Sequence, residues 1–208
     1  MRVAAPVPDA TTVVLVEGES DRLAVEAAAA RRGVDLTGAG AVVVSMHGVT
    51  NLRRHLAELA SSRSTGSPRL LGLYDLPEAA YVRDAVADAG LLAGGGPPAE
   101  PTTVGPPPEL AAAGFFACDP DLEGELIRAV GPARARELLA EHGELGRFRT
   151  FQYQPEQRVR SVEAQLRRFM GTHAGRKAKF APILVSAIDD SRMPPPLSAL
   201  IGAVLSRV

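Results

Sequence analysis

The sequence predicts an α/β fold in which a parallel four-stranded sheet is followed by a C-terminal helical extension. Three observations predict it. Four short apolar runs, at residues 12–16, 41–45, 69–74 and 114–118, lack the polar alternation of a half-exposed strand, as strands covered on both faces do. Between the runs lie segments of helical periodicity, and strand–helix alternation implies right-handed crossovers in a parallel sheet. Beyond residue 131 only helical patterning remains.

In chain order, Met1 to Thr11 is Pro- and Ala-rich without periodicity and reads as a loose arm. Thr12-Val-Val-Leu-Val16 is a β-branched run that stops at Glu17-Gly18, and Glu19 to Arg32 is a helix closed by Gly33. Ala41 to Ser45 is the second strand. His47-Gly48 turns the chain into a helix of about Thr50 to Ser61, with Thr50 as its cap. A polar turn, Ser61 to Pro68, leads to the third strand, Arg69 to Tyr74, ending at Asp75, and then to a helix from Pro77 to Ala89. Gly94 to Pro108 holds Gly-Gly-Gly, Pro-Pro and Pro-Pro-Pro and reads as an exposed loop. Gly114 to Cys118 is the fourth strand, with a helix after it to Val130. The helices expected beyond it are Pro132 to His142, Pro155 to Met170, Gly175 to Asp189 and Pro195 to Arg207.

The chain has 208 residues, enough for one domain with an appendage that buries roughly 70% of its extended surface. Its single cysteine, Cys118, excludes an intrachain disulfide and a cysteine zinc cluster. No charged start leads into an apolar leader, and no run reaches the length of about 18 apolar residues that a membrane span needs, so a cytoplasmic protein is expected. The net charge of −1 hides a polarity: residues 143–208 carry 11 basic and 5 acidic side chains, and the rest of the chain is acidic.

The acids fall at informative places. Glu17, Asp75 and the pair Asp121 and Glu123 each follow the carboxyl end of an apolar strand, and in a parallel sheet those ends share one edge, where ligands bind. Asp21 lies one helical turn beyond Glu17. Carboxylates brought together repel one another unless a hard cation neutralises them, and Mg2+ or Mn2+ with oxygen ligands suits the set. Helix capping by Ser20, Asp21, Asp119 or Asp121 is the competing explanation. It accounts poorly for Glu17 and for three strands ending alike.

Val14-Leu-Val-Glu17-Gly18-Glu-Ser-Asp21 resembles the first motif of TOPRIM domains, the module shared by type IA topoisomerases, bacterial primases and OLD-family nucleases. The Glu-x-x-x-Asp spacing is closest to the OLD nucleases, and the resemblance spans about residues 12 to 190. It implies a Rossmann-like TOPRIM domain over 12–131, with the loop of 94–108 inside it, between the arm of 1–11 and a basic helical extension over 132–208. It implies metals held by the first-strand Glu, by an Asp-x-Asp after the third strand and by a later Asp-x-Glu. Glu17 with Asp21 maps to the first and Asp121-Leu122-Glu123 to the last. Where the family has Asp-x-Asp, this chain reads Asp75-Leu76-Pro77-Glu78, so either Glu78 replaces the missing acid or one metal site is weakened. The family's C-terminal lysine maps to Lys177 in Lys177-Ala-Lys-Phe-Ala181; Lys177 and Lys179 are the only lysines in a chain whose other basic residues are all Arg.

The implied activity is a metal-dependent nucleotidyl hydrolase or transferase acting on nucleic-acid phosphodiesters, a DNA endonuclease in the first instance, with RNA the other candidate substrate. Glu17 would double as general base and Lys177 would stabilise charge at the phosphate. The alternative is a weakened TOPRIM module that binds nucleic acid or a partner ATPase without cleavage. OLD nucleases usually carry an ATPase half, and Gly171 to Lys177 does not satisfy the Walker spacing, so a separate ATPase subunit is the expected partner. Arg147-Phe-Arg149-Thr-Phe-Gln-Tyr153 interleaves cations with rings, and Arg160, Arg167, Arg168 and Arg176 follow. Arg147, Arg149, Arg167, Arg168, Arg176 and Lys179 are the candidate nucleic-acid contacts. The bland reading has the rings packing the tail onto the sheet and the arginines solvated.

Overall fold

β1 (Thr12–Val16) is buried along its whole length in the computed structural model, which describes residues 10–61, 68–92 and 105–206. Its side chains alternate between two cores, Val14 and Val16 on one face and Val13 and Leu15 on the other. β1 pairs in parallel with β2 (Ala41–Ser45) and with β3 (Arg69–Asp75), and β3 pairs in parallel with β4 (Phe115–Cys118). The order is β2-β1-β3-β4, so every strand delivers its carboxyl end to the same edge. Gly72 is required in β3, since a Cβ there would run into the Phe115 ring.

Two helical layers cover the sheet. α1 (Glu19–Arg31) lies on the Val14 face, while α2 (Leu52–Ser61), α3 (Ala79–Asp88) and the short α4 (Pro108–Ala112) contribute Leu52, Leu56, Val82, Val86 and Leu110 to the Val13 face. α5 (Leu122–Val130) returns to the Val14 face and is followed by α6 (Pro132–Glu141), α7 (Leu145–Gln152), α8 (Pro155–Arg158), α9 (Val162–Gly171), α10 (Ala174–Ala187) and α11 (Pro195–Leu205). α1 packs most closely on α10, an approach allowed by Ala24, Ala28 and Ala29, all buried in the same core as Phe180 and Leu184.

The extension is fastened to the sheet as well as packed on it. Arg31 donates to the Ser186 carbonyl at 2.6 Å and pairs with Asp190, Arg32 donates to Ser198 Oγ at 2.7 Å, and Arg69 donates to the carbonyls of Ala203 and Ser206. One continuous core runs from Val14 through Phe148 and Phe180 to Val204. Among the described residues, no helix is long and apolar enough to cross a membrane.

Several sequence expectations are corrected. Arg147 to Tyr153 is mostly helix, with Phe148 buried in the core. Pro155 to Met170 is two helices, because Ser161 caps a new one by accepting from the Ala164 amide. Pro108 begins a helical turn where a loop was expected, proline being suited to a first-turn position. Thr50 does not cap α2; it sits inside a 3-10 turn, Val49–Asn51, whose approach is held by Asn51. The arm of residues 1–9, the centre of the polar turn at 62–67 and most of the expected loop, 93–104, lie outside the described residues.

Candidate metal centre

Glu17 leaves β1 at a junction zipped to the neighbouring turn: the Met46 amide donates to the Val16 carbonyl and the Gly48 amide to the Glu17 carbonyl, each at 2.9 Å. That turn needs left-handed backbone, with φ of 57° at His47 and 115° at Gly48. The Asn51 side-chain amide braces it by donating to the carbonyls of Met46 and His47. Four residues after Glu17, the Asp21 carboxylate accepts from the Gly18 amide at 2.8 Å through Oδ2. Asp21 is therefore a helix cap as well as a candidate ligand.

Asp75 is the last residue of β3, opposite Cys118 in the register. Past β4 the chain passes through the cis Asp119–Pro120 peptide to Asp121, which caps α5: its Oδ1 accepts from the Gly124 amide at 2.8 Å. Its Oδ2 accepts from Arg167 Nε at 2.6 Å. Glu123 Oε2 accepts from Lys177 Nζ at 2.9 Å. Glu125 braces the turn from below, accepting from the Asp119 amide and pairing with Arg128. Neither Glu125 nor Arg128 stood out in the sequence, where an acid and a base three apart on a helix look like an ordinary surface pair.

The acids of this edge bear on one another electrostatically. Burial pushes the Asp75 carboxyl up to about 8, and Asp21, Asp121, Glu17 and Glu123 all push the same way. Burial likewise raises Asp21 to about 7 against the pull of the Gly18 amide, with Glu123 and Glu17 adding to the rise. Desolvation would lower the Lys177 ammonium, but Glu123, Asp121 and Asp75 together carry it above its ordinary value. Buried Cys118, under Asp75, is raised well above a normal thiol by desolvation and by that carboxylate.

Glu78 is raised by burial and by Glu17. Its Oε2 is buried without a hydrogen-bond partner beside a small cavity of about 10 Å3 whose wall holds Glu17 as well as Leu15, Met46, Leu52, Tyr74 and Phe115. The side chain that could replace the missing Asp therefore lies beside Glu17, on the Leu15 face of the sheet.

The donor set fits a hard divalent cation, because every candidate ligand is a carboxylate. Among the described residues, however, no three His, Cys, Asp or Glu side chains are gathered into a ready cage. Two of the acids are instead held by the chain's own cations, Lys177 and Arg167.

The basic candidates divide. Arg176 is buried, with all three guanidinium nitrogens engaged: Nε and Nη2 donate to Glu144, Nη1 to the Phe169 carbonyl and to Thr172, and its Cζ stacks 3.9 Å from the Phe169 ring centre. The expectation that Arg176 contacts nucleic acid is corrected, since it staples α9 and α10 to the start of α7. Arg167 faces the acids. Arg147 pairs with the same Glu144 while remaining exposed, and Lys179 lies exposed over Phe180. Arg149 and Arg168 project into solvent.

A parallel sheet with an acidic edge and a helical flank resembles that of a TOPRIM domain. More particularly, residues 10–64 match the family model described as Overcoming lysogenization defect protein-like, TOPRIM domain, and the likeness of the chain is to the TOPRIM half of OLD proteins. The C-terminal region of the Burkholderia pseudomallei OLD protein is similar over 94% of this chain and 96% of its own, with a TM-score of 0.61 and 19% identity. The C-terminal region of the Xanthomonas campestris pv. campestris OLD protein, phased with mercury, is similar over 95% of this chain and 96% of its own, with a TM-score of 0.63 and 22% identity. A comparison with the curated proteins finds no match. TOPRIM domains of this type belong to nucleotidyl-transfer and nuclease-type chemistry in general and generally bind divalent metal ions.

Proposed function

We propose that this chain is a divalent-metal-dependent nuclease that cleaves DNA phosphodiester bonds. The observation that carries the reading is the meeting of Glu17, Asp21, Asp75, Asp121 and Glu123 at one sheet edge with Lys177 beside them. Glu17, Asp21, Asp75 and Glu123 would hold Mg2+ or Mn2+, with Asp121 joining once Arg167 lets it go. When bound, the ion supplies Lewis-acid activation of water and of the phosphate.

The chain's own groups supply the rest. Glu17, whose side chain makes no hydrogen bond among the described residues, would take a proton from the attacking water. Lys177, with its raised ammonium, stays charged at any working pH and stabilises the charge that builds on the phosphate. The exposed Arg147, Arg149, Arg168 and Lys179 hold the polynucleotide through its backbone, as a sequence-independent positive face does. A separate ATPase subunit is the partner this reading favours.

Plasmid incubated with the protein and Mn2+ should be cut, and Glu17→Gln should abolish the cutting while leaving the fold intact by circular dichroism. One observation favours a second reading, a module that binds without cleaving: Pro77 occupies the place of an acid. Retarded migration of an oligonucleotide, with no cleavage in either Mg2+ or Mn2+, would decide for that reading.

A further inference from the structure

We propose that Arg167 is an exchangeable counter-ion for Asp121, coupling occupancy of the acidic crevice by a divalent cation to phosphate binding by the helical extension. The inference rests on the metal-dependent reading above and assigns Arg167 a role within it as a positioning residue.

Three features of the side chain carry it. First, both oxygens of Asp121 already accept a hydrogen bond: Oδ1 from the Gly124 amide at 2.8 Å and Oδ2 from Arg167 Nε at 2.6 Å. The amide bond is a local helix cap that can persist, whereas a cation drawn to Asp121 meets the positive charge of Arg167 at Oδ2 and is favoured when the guanidinium withdraws. Second, Arg167 is held loosely. It makes this one hydrogen bond through Nε, its Nη atoms have no protein partner among the described residues, and its side chain is 42% exposed. Arg176, by contrast, spends all three nitrogens on the protein and is buried. A half-exposed ion pair adds little stability, so breaking this one is not prohibitive. Third, Arg167 lies on α9 beside the exposed Arg168, so a guanidinium freed from Asp121 presents its two unused nitrogens on the basic flank, in the fork geometry that suits a phosphate.

The consequence is thermodynamic. If Asp121 and a phosphate compete for Arg167, phosphate binding releases Asp121 and tightens the cation, and cation binding releases Arg167 and tightens the phosphate by the same factor. The apo crevice is kept partly neutral by the protein itself, and the substrate completes the metal site on arrival.

Calorimetric titration of MnCl2 into the full chain, with and without a cleavage-resistant phosphorothioate DNA duplex, tests the idea in the wild type and in Arg167→Gln. The wild type should bind Mn2+ more tightly with the duplex present. Arg167→Gln should bind Mn2+ roughly fivefold or more tightly without the duplex and gain no further tightening from it. An Arg167→Gln variant whose Mn2+ affinity equals or falls below the wild type, or that keeps the wild-type response to the duplex, overturns the proposal. If neither protein binds Mn2+ under any of these conditions, the metal-dependent reading itself fails, and that result is distinct from the first.

Discussion

Asp75 is the side chain on which the acids of the crevice act together, and its titration exposes them. Its carboxyl rises from an ordinary 3.8 to about 8 because burial and four neighbouring carboxylates disfavour its charge. The folded state thus holds this proton more tightly than the unfolded one, so its stability contribution is intact below about pH 4 and is lost as the pH rises toward about 8. Thermal melts in EDTA should show Asp75→Asn gaining stability over the wild type as the pH is raised through that window; parallel curves for the two would contradict the crowding. Arg176 makes the opposite kind of prediction. Removing it leaves Glu144 with Arg147 alone and strips the Phe169 carbonyl, Thr172 and the Phe169 ring of their buried partner, so Arg176→Ala should cost about 3 kcal/mol in denaturant unfolding. A loss below about 1 kcal/mol would return Arg176 to the solvent-facing set.

At the level of elements, Arg149 of α7 and Arg168 of α9 are exposed and make no ion pair or side-chain hydrogen bond among the described residues. Arg149→Ala and Arg168→Ala should leave stability within about 0.5 kcal/mol, and each should lower the slope of log affinity for DNA against log salt by roughly one. An unchanged slope would move the DNA track elsewhere. Gly72→Ala should destabilise by about 1–3 kcal/mol, because the added methyl meets the Phe115 ring across the β3–β4 pair; unchanged melting would mean the ring has room to move. The strands were readable in the sequence because each is a short run of mainly apolar residues with no charged residue in its middle, a pattern that burial on both faces favours. The helical tail was readable as helical but not in its breaks. The Ser161 cap divides a stretch whose apolar spacing looks continuous, and Phe148 and Phe151, which read equally well as stacking rings, pack with Phe169 instead.

For the whole molecule, the acidic edge was visible because strand ends in a parallel sheet have only one place to go. What neutralises that edge was not visible. Arg167 lies 46 positions from Asp121, Lys177 lies 54 from Glu123, and Arg176 lies 32 from Glu144, so no local spacing rule links them. Only the return of α9 and α10 across the Val14 face makes these partners. The extension therefore supplies the charges that the sheet's carboxylates lack, while its outer face stays basic. Anomalous scattering from crystals soaked in Mn2+ tests this most directly. The account predicts at least one ion bound among Glu17, Asp21, Asp75 and Glu123. Soaked crystals with no ion at that edge, and with Lys177 and Arg167 still seated on Glu123 and Asp121, would contradict it.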